Sequence, residues 1–108
     1  MKKKLDLINP GTILSEEFMK PLGITAYRLS KDIKVQQTAV SQIIKGSRKI
    51  TVDMALRLSK YFGNTAQFWL NLQNYYDLES EMEKKEFLFK QIVPYSQVAE
   101  KDAVYVWN

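Results

Sequence analysis

The chain has 108 residues, 45% of them hydrophobic, which suits one globular domain with a modest core and argues against a disordered segment. It carries a net charge of +4 and neither Cys nor His, so a disulfide framework, the usual transition-metal ligands and the commonest general base are all missing. No run is long and apolar enough to span a membrane, and the opening MKKKLDLI lacks the sustained apolar core of a secretory leader, so a cytoplasmic protein is expected.

Lys2-Lys3-Lys4 forms a short basic arm, to be read either as a solvated terminus or as a phosphate contact. Asn9-Pro10 is a helix entry, because Asn can cap and Pro is pre-set for the first turn. The helix is expected from about Pro10 to Met19, with Leu14 and Phe18 four apart and facing the core beside Ile13. Pro21 is expected to stop it by biasing Lys20 away from helix.

Thr25 can cap a second helix, about Ala26 to Ile33, whose Leu29 and Ile33 make a buried stripe. Lys34-Val35 reads as a tight turn. A third helix, about Gln37 to Lys45, buries Val40, Ile43 and Ile44 and ends at Gly46, a residue free to take the left-handed conformation. Its opposite face carries Gln37, Thr38, Ser41, Gln42 and Lys45, none of them acidic. A helix lying in the DNA major groove needs such side chains: amides for base edges, hydroxyls and a lysine for phosphates. An ordinary helical hairpin with a solvated polar face has the same local pattern.

The loop Ser47-Arg48-Lys49-Ile50 adds two adjacent cations. Thr51 then caps a fourth helix, with Asp53 in its first turn and Met54, Ala55, Leu58 and Phe62 as its stripe. Asn64 or Thr65 caps a fifth, and Asn64 followed by Gln67 fits a variant of the capping box. Phe68, Leu72, Tyr75 and Tyr76 fit one face of that helix, while Trp69 and Leu70 widen it. Eleven of the thirteen aromatic residues lie after residue 60, more than a small five-helix unit buries on one side, so packing against a second copy is expected. Glu79 to Glu86 reads as a charged, solvated helix. Phe87, Leu88, Ile92 and Val93 follow, Pro94 breaks the pattern, and Ala103 to Trp107 is rich in strand formers.

Charge is unevenly spread. Residues 20–60 hold nine basic and two acidic side chains, whereas residues 61–108 hold four basic and seven acidic. A positive zone centred on the second and third helices is what a polyanion-binding face requires.

NPGTILSEEFMKPLGITAYRLSKDI, VSQIIKGSRKITVDMALRLSKYFG and TAQFWLNLQNYYDLE together resemble the HigA antitoxins, Xre-type helix-turn-helix proteins of bacterial type II toxin–antitoxin modules. The likeness runs from about Asn9 to Glu79, and Phe68-Trp69-Leu70-Asn71-Leu72-Gln73 narrows it beyond the broad superfamily. It implies an all-α fold with a five-helix Xre/lambda-repressor-like domain over residues 1–80; beyond the likeness, residues 81–108 are read as a C-terminal extension, a candidate for dimerisation. It further implies a homodimer that binds a palindromic operator, represses its own operon and neutralises a HigB-type, RelE-like mRNA-cleaving toxin. The family's DNA-binding positions fall on Gln36, Gln37, Thr38, Ser41 and Gln42, with Lys45 at the helix end and Arg48 in the loop beyond. Two departures stand out: Asn9 where the family commonly has His, and Lys34 where the turn commonly has Gly.

For the toxin, the acidic stretch Glu79 to Glu86 and the helix face with Glu16 and Glu17 are the expected surfaces against a basic nuclease. The alternative is a stand-alone Xre-type transcriptional regulator without a toxin partner. No cofactor is expected. An enzyme has the least support: there is no Gly-rich phosphate loop, and the Asp and Glu residues show no spacing of a catalytic pair.

Overall fold

Asn9 and Pro10 start the first helix as their chemistry dictates. The Asn9 side-chain oxygen accepts a hydrogen bond from the Gly11 N–H at 2.7 Å, and Pro10 occupies the first turn. The computed structural model describes residues 7–101, so the Lys2–Lys4 arm and the strand-like Ala103–Trp107 lie outside the described residues. All of its regular structure there is helical.

Three consecutive pieces, Pro10–Ile13, a π-helical Leu14–Met19 and Lys20–Leu22, make up α1. The expected stop at Met19 is therefore corrected to Leu22. The reason lies in the widened turn: the Lys20 N–H reaches back to the Ser15 carbonyl rather than to Glu16. A π turn relaxes the clash of the following proline ring with the carbonyl four residues back, so Pro21 is carried inside the helix. The end comes at Gly23, where Ile24 N–H donates to Met19 and Gly23 N–H to Lys20, at 2.9 and 3.0 Å.

The next helices are α2 (Ala26–Ile33), α3 (Gln37–Lys45) and α4 (Val52–Phe62). Thr25 caps α2 and Thr51 caps α4, each hydroxyl accepting from the N–H three residues on, at 3.1 and 3.2 Å. Leu29, Ile33, Val40, Ile43, Met54, Ala55 and Leu58 are all buried, in line with the helical spacing. Ile44, expected among them, is only half-buried against the core.

Helix α5 spans Ala66–Phe89 and α6 spans Tyr95–Lys101. Thr65 is the cap of α5, accepting from the Phe68 N–H at 3.0 Å, and the capping box does not form. Asn64 accepts instead from the Trp69 indole N–H at 2.9 Å, and Gln67 donates to Asn71. The inward side of α5 also differs from the expected one. Trp69 and Gln73 are buried, whereas Phe68 is 36% and Tyr75 59% exposed. Trp carries the largest apolar surface of these residues and sets the rotation of the helix. It seats beside Phe18 with ring centroids 4.8 Å apart, and Phe18 also meets Phe62 at 5.2 Å. A tertiary slot bordered by Asn64 and Phe18, rather than local periodicity, decides which face of α5 turns in.

α1 and α3 approach at their backbones. A Cβ on Gly11 would lie 1.7 Å from the Ile43 carbonyl oxygen, so only glycine permits this crossing. The contact fixes the angle at which α3 is presented.

Candidate nucleic-acid interface

Helix α3 begins differently from its neighbours. α1, α2, α4 and α5 each have a side chain accepting from their first N–H groups, but Gln36, at the start of α3, makes no such bond. The free N–H groups of that turn therefore remain available to an anion in front of the helix. Gln36, Gln37 and Thr38 are exposed around this end, and Ser41 and Gln42 are half-buried one turn later. Lys45 is exposed at the far end, and Arg48 is exposed in the loop beyond Gly46.

The residues expected on the outward side of α3 thus lie on its accessible side, while Val40 and Ile43 fill the core. The loop folds back onto the helix: Arg48 Nε donates to Gln42 Oε1 at 2.9 Å. Gly46 takes φ 91°, which a side chain would strain, and lets Ser47 N–H close onto the Gln42 carbonyl at 2.9 Å. A shallow cleft beside the start of α3 is lined by Gln36, Thr38, Arg48, Lys49 and Thr51.

The positive charge of this region is partly neutralised within the fold. Arg28 pairs with Asp32 at 2.7 Å, Arg57 with Asp53 at 2.8 Å, Lys49 with Asp77 at 2.9 Å and Lys20 with Glu16 at 2.7 Å. Among the described residues, no carboxylate pairs with Lys34, Lys45 or Arg48. The same holds for Lys31 and Lys60. The Asp32 carboxyl is held below the usual range first by the Tyr61 hydroxyl, 2.6 Å away, and then by Arg28. The Lys49 ammonium is pushed up by its hydrogen bond to Asp77.

The turn between α2 and α3 contains the strain that the sequence poses. Lys34 sits at φ 63°, ψ 48°, the left-handed region, with no glycine to ease it. Arg57 of α4 compensates: its Nη1 donates to the Ile33 carbonyl at 2.7 Å and to the Lys34 carbonyl at 3.3 Å. Sequence reasoning counted Arg57 only as a charge. Its contact spans 24 positions, and nothing in the local pattern marks it.

Gln73 was missed in the same way. Its Oε1 accepts from the Ile50 N–H at 2.8 Å, and its Nε2 donates to Asp77 at 3.0 Å. It lies in the Trp-Leu-Asn-Leu-Gln block that supported the family likeness, and that block is the one signal that pointed to it. No group of His, Cys, Asp and Glu able to hold a metal ion occurs among the described residues.

Known proteins share this arrangement. The helix-turn-helix family model matches residues 16–69. Virulence-associated protein I of Dichelobacter nodosus is 44% identical over 85 residues, 79% of either chain. Antitoxin HigA-1 of Vibrio cholerae is 38% identical over 77 residues, 71% of this chain and 72% of that one. Among solved structures, the Pseudomonas aeruginosa antitoxin HigA with the higBA promoter superposes with a TM-score of 0.79 at 37% identity, covering 82% of this chain and 97% of the other. By these likenesses of sequence and fold, the chain belongs to the helix-turn-helix family, among the HigA antitoxins.

Proposed function

We propose that this protein is the DNA-binding antitoxin of a two-component module, repressing its own operon from a palindromic operator and neutralising a HigB-type, mRNA-cleaving toxin in the cytoplasm. The observation that carries the reading is the uncapped start of α3, with Gln36, Gln37 and Thr38 exposed around it and Arg48 tied to Gln42 at its rim. In the groove, Gln37 or Gln42 pairs with adenine N6 and N7, and Thr38 meets a thymine methyl. Ser41, Lys45 and Arg48 hold phosphates and set the register.

A palindromic operator requires two copies, with their α3 helices roughly 34 Å apart. Residues 1–80 are the DNA-binding domain in this reading, and 81–108 the dimerisation extension. Support for the extension's role comes from its uncovered apolar side chains: Phe87 is 75% exposed, Ile92 70% and Tyr95 74%. The toxin surface falls on the acidic stretch Glu79 to Glu86 or on Glu16 and Glu17, which would attract a basic nuclease.

A binding titration tests base readout. Gln37→Ala weakens operator binding by about 1–3 kcal/mol and leaves random-sequence binding almost unchanged. Equal losses on both DNAs would remove Gln37 from the reading. Co-expression with the product of the adjacent gene tests the toxin: co-purification and rescue of growth are expected, and their absence would leave a stand-alone regulator.

A further inference from the structure

Lys49 stands between two hollows. One is the cleft beside the start of α3, shared with Gln36, Thr38, Arg48 and Asp53, the last paired with Arg57. The other is shared with Asn9, Arg48, Gln73, Tyr76 and Asp77. The ammonium is drawn to the second, where Lys49 Nζ lies 2.9 Å from Asp77 Oδ2. Asp77 is in turn held by Gln73 Nε2 through its other oxygen, at 3.0 Å. Gln73 is buried and anchors the same loop through the Ile50 N–H, so the carboxylate is oriented from below rather than left swinging in solvent.

We infer that Asp77 is a specificity-determining residue: by holding Lys49 against α5 it keeps a cation out of the cleft beside α3 and so limits binding to DNA of arbitrary sequence. The inference rests on the DNA-binding reading proposed above. Its logic is electrostatic. Every cation that reaches a phosphate releases counterions and tightens binding to any sequence alike. Arg48, the preceding residue, is committed toward α3 through Gln42. A second mobile cation beside it would add affinity without adding base readout. The pair is too exposed, at 69% and 35% of its two side chains, to matter much for stability, so a role in folding does not account for its double anchoring.

The test is a titration of a random-sequence duplex across a range of salt concentrations. Asp77→Asn should bind that duplex roughly three- to tenfold more tightly at low salt and steepen the salt dependence by about 0.9 in slope. Lys49→Gln in the otherwise unchanged protein should leave the slope as it was, and the double variant should return it to the starting value. Melting temperatures should stay within about 2 °C of each other. Glu83→Gln makes the same charge change on the exposed far half of α5 and should not alter the slope. An unaltered slope in Asp77→Asn would overturn the inference. So would a reduced slope in Lys49→Gln alone, or an equal gain from Glu83→Gln. Arg48→Gln separates the two levels: it should lower the slope by about 0.9. If it does not, Arg48 is no phosphate contact; failure of the unchanged protein to bind any duplex is what would remove the DNA-binding reading, and the inference with it.

Discussion

Both halves of the molecule carry ion pairs within single helical turns, but only the first adds polar contacts between distant elements. From Asn9 to about Tyr76, polar contacts join distant elements: Tyr61 to Asp32 across 29 positions, Arg57 to Ile33 across 24 and Ile50 to Gln73 across 23. From Glu79 onward, the ion pairs among the described residues are Glu81 with Lys85 and Glu86 with Lys90, each within a single turn of one helix. The first half closes its own core around Trp69 and Leu58, both fully buried. The second half exposes every described side chain from Glu81 to Val98. Among the described residues, the first half is thus closed on itself, whereas the second, a helical arm, leaves its apolar side chains uncovered.

The sharpest way to test that contrast is a pair of truncations. Trp69→Ala should cost about 3–5 kcal/mol, because it empties a closed slot between Phe18, Phe62 and Asn64. Phe87→Ala should stay within about 0.5 kcal/mol in dilute solution, where the arm has no cover. Denaturant titrations at two protein concentrations read both. If the Phe87 variant loses stability only at the higher concentration, the arm is closing on a second copy. If it loses as much as the Trp69 variant at both, the arm belongs to the core and the contrast fails.

Gly11→Ala comes next in size. The added Cβ has nowhere to go but into the Ile43 carbonyl, so α1 and α3 must separate at a cost of roughly 1–3 kcal/mol. Because α3 is held at this crossing, operator affinity measured below the melting range should fall as well. A variant with lowered stability and unchanged operator affinity would show that α3 is positioned from elsewhere.

Much of this was legible in the sequence because the physics is local. Thr25, Thr51 and Gly46 act within four residues of where they stand, and their roles are the expected ones. The buried stripes of α2, α3 and α4 follow from spacing alone, and the residues left outward on α3 follow by elimination. What local pattern could not supply is partnership at a distance. Pro21 inside α1 depends on a widened turn upstream. The rotation of α5 depends on a slot built by Phe18 and Phe62. Arg57 and Gln73 look like an ordinary surface cation and an ordinary helix amide until the elements they join are brought together.

Lys34 allows the compensation at the turn to be measured. Its left-handed backbone costs about 1–2 kcal/mol for a residue with a side chain, and glycine returns about 0.5–1 of that as chain entropy. Lys34→Gly should therefore stabilise the protein by roughly 0.5–1 kcal/mol. The Arg57 bonds reach only the backbone carbonyls and survive the change. No gain in a denaturant titration would mean that the Lys34 side chain contributes enough to offset its strain.

The smallest effect concerns acid. Asp32 ties α2 to α4, and its folded carboxyl lies below the usual range, chiefly through the Tyr61 hydroxyl and next through Arg28. A depressed folded pKa stabilises the native state above the unfolded value of about 4 and loses that contribution as pH falls through the folded value. Tyr61→Phe removes the larger cause, so the folded carboxyl moves back toward the unfolded one. The variant should consequently lose less stability than the parent between neutral and strongly acidic solution, although it starts from a lower value. Glu81 is also held low, by Lys85 in its own helix, but it joins no two elements. Glu81→Gln should leave the acid limb of global unfolding where it was. Equal shifts from the two variants would mean that acid sensitivity tracks surface charge at large, and that the long-range contacts of the first half carry no more than the short-range pairs of the arm.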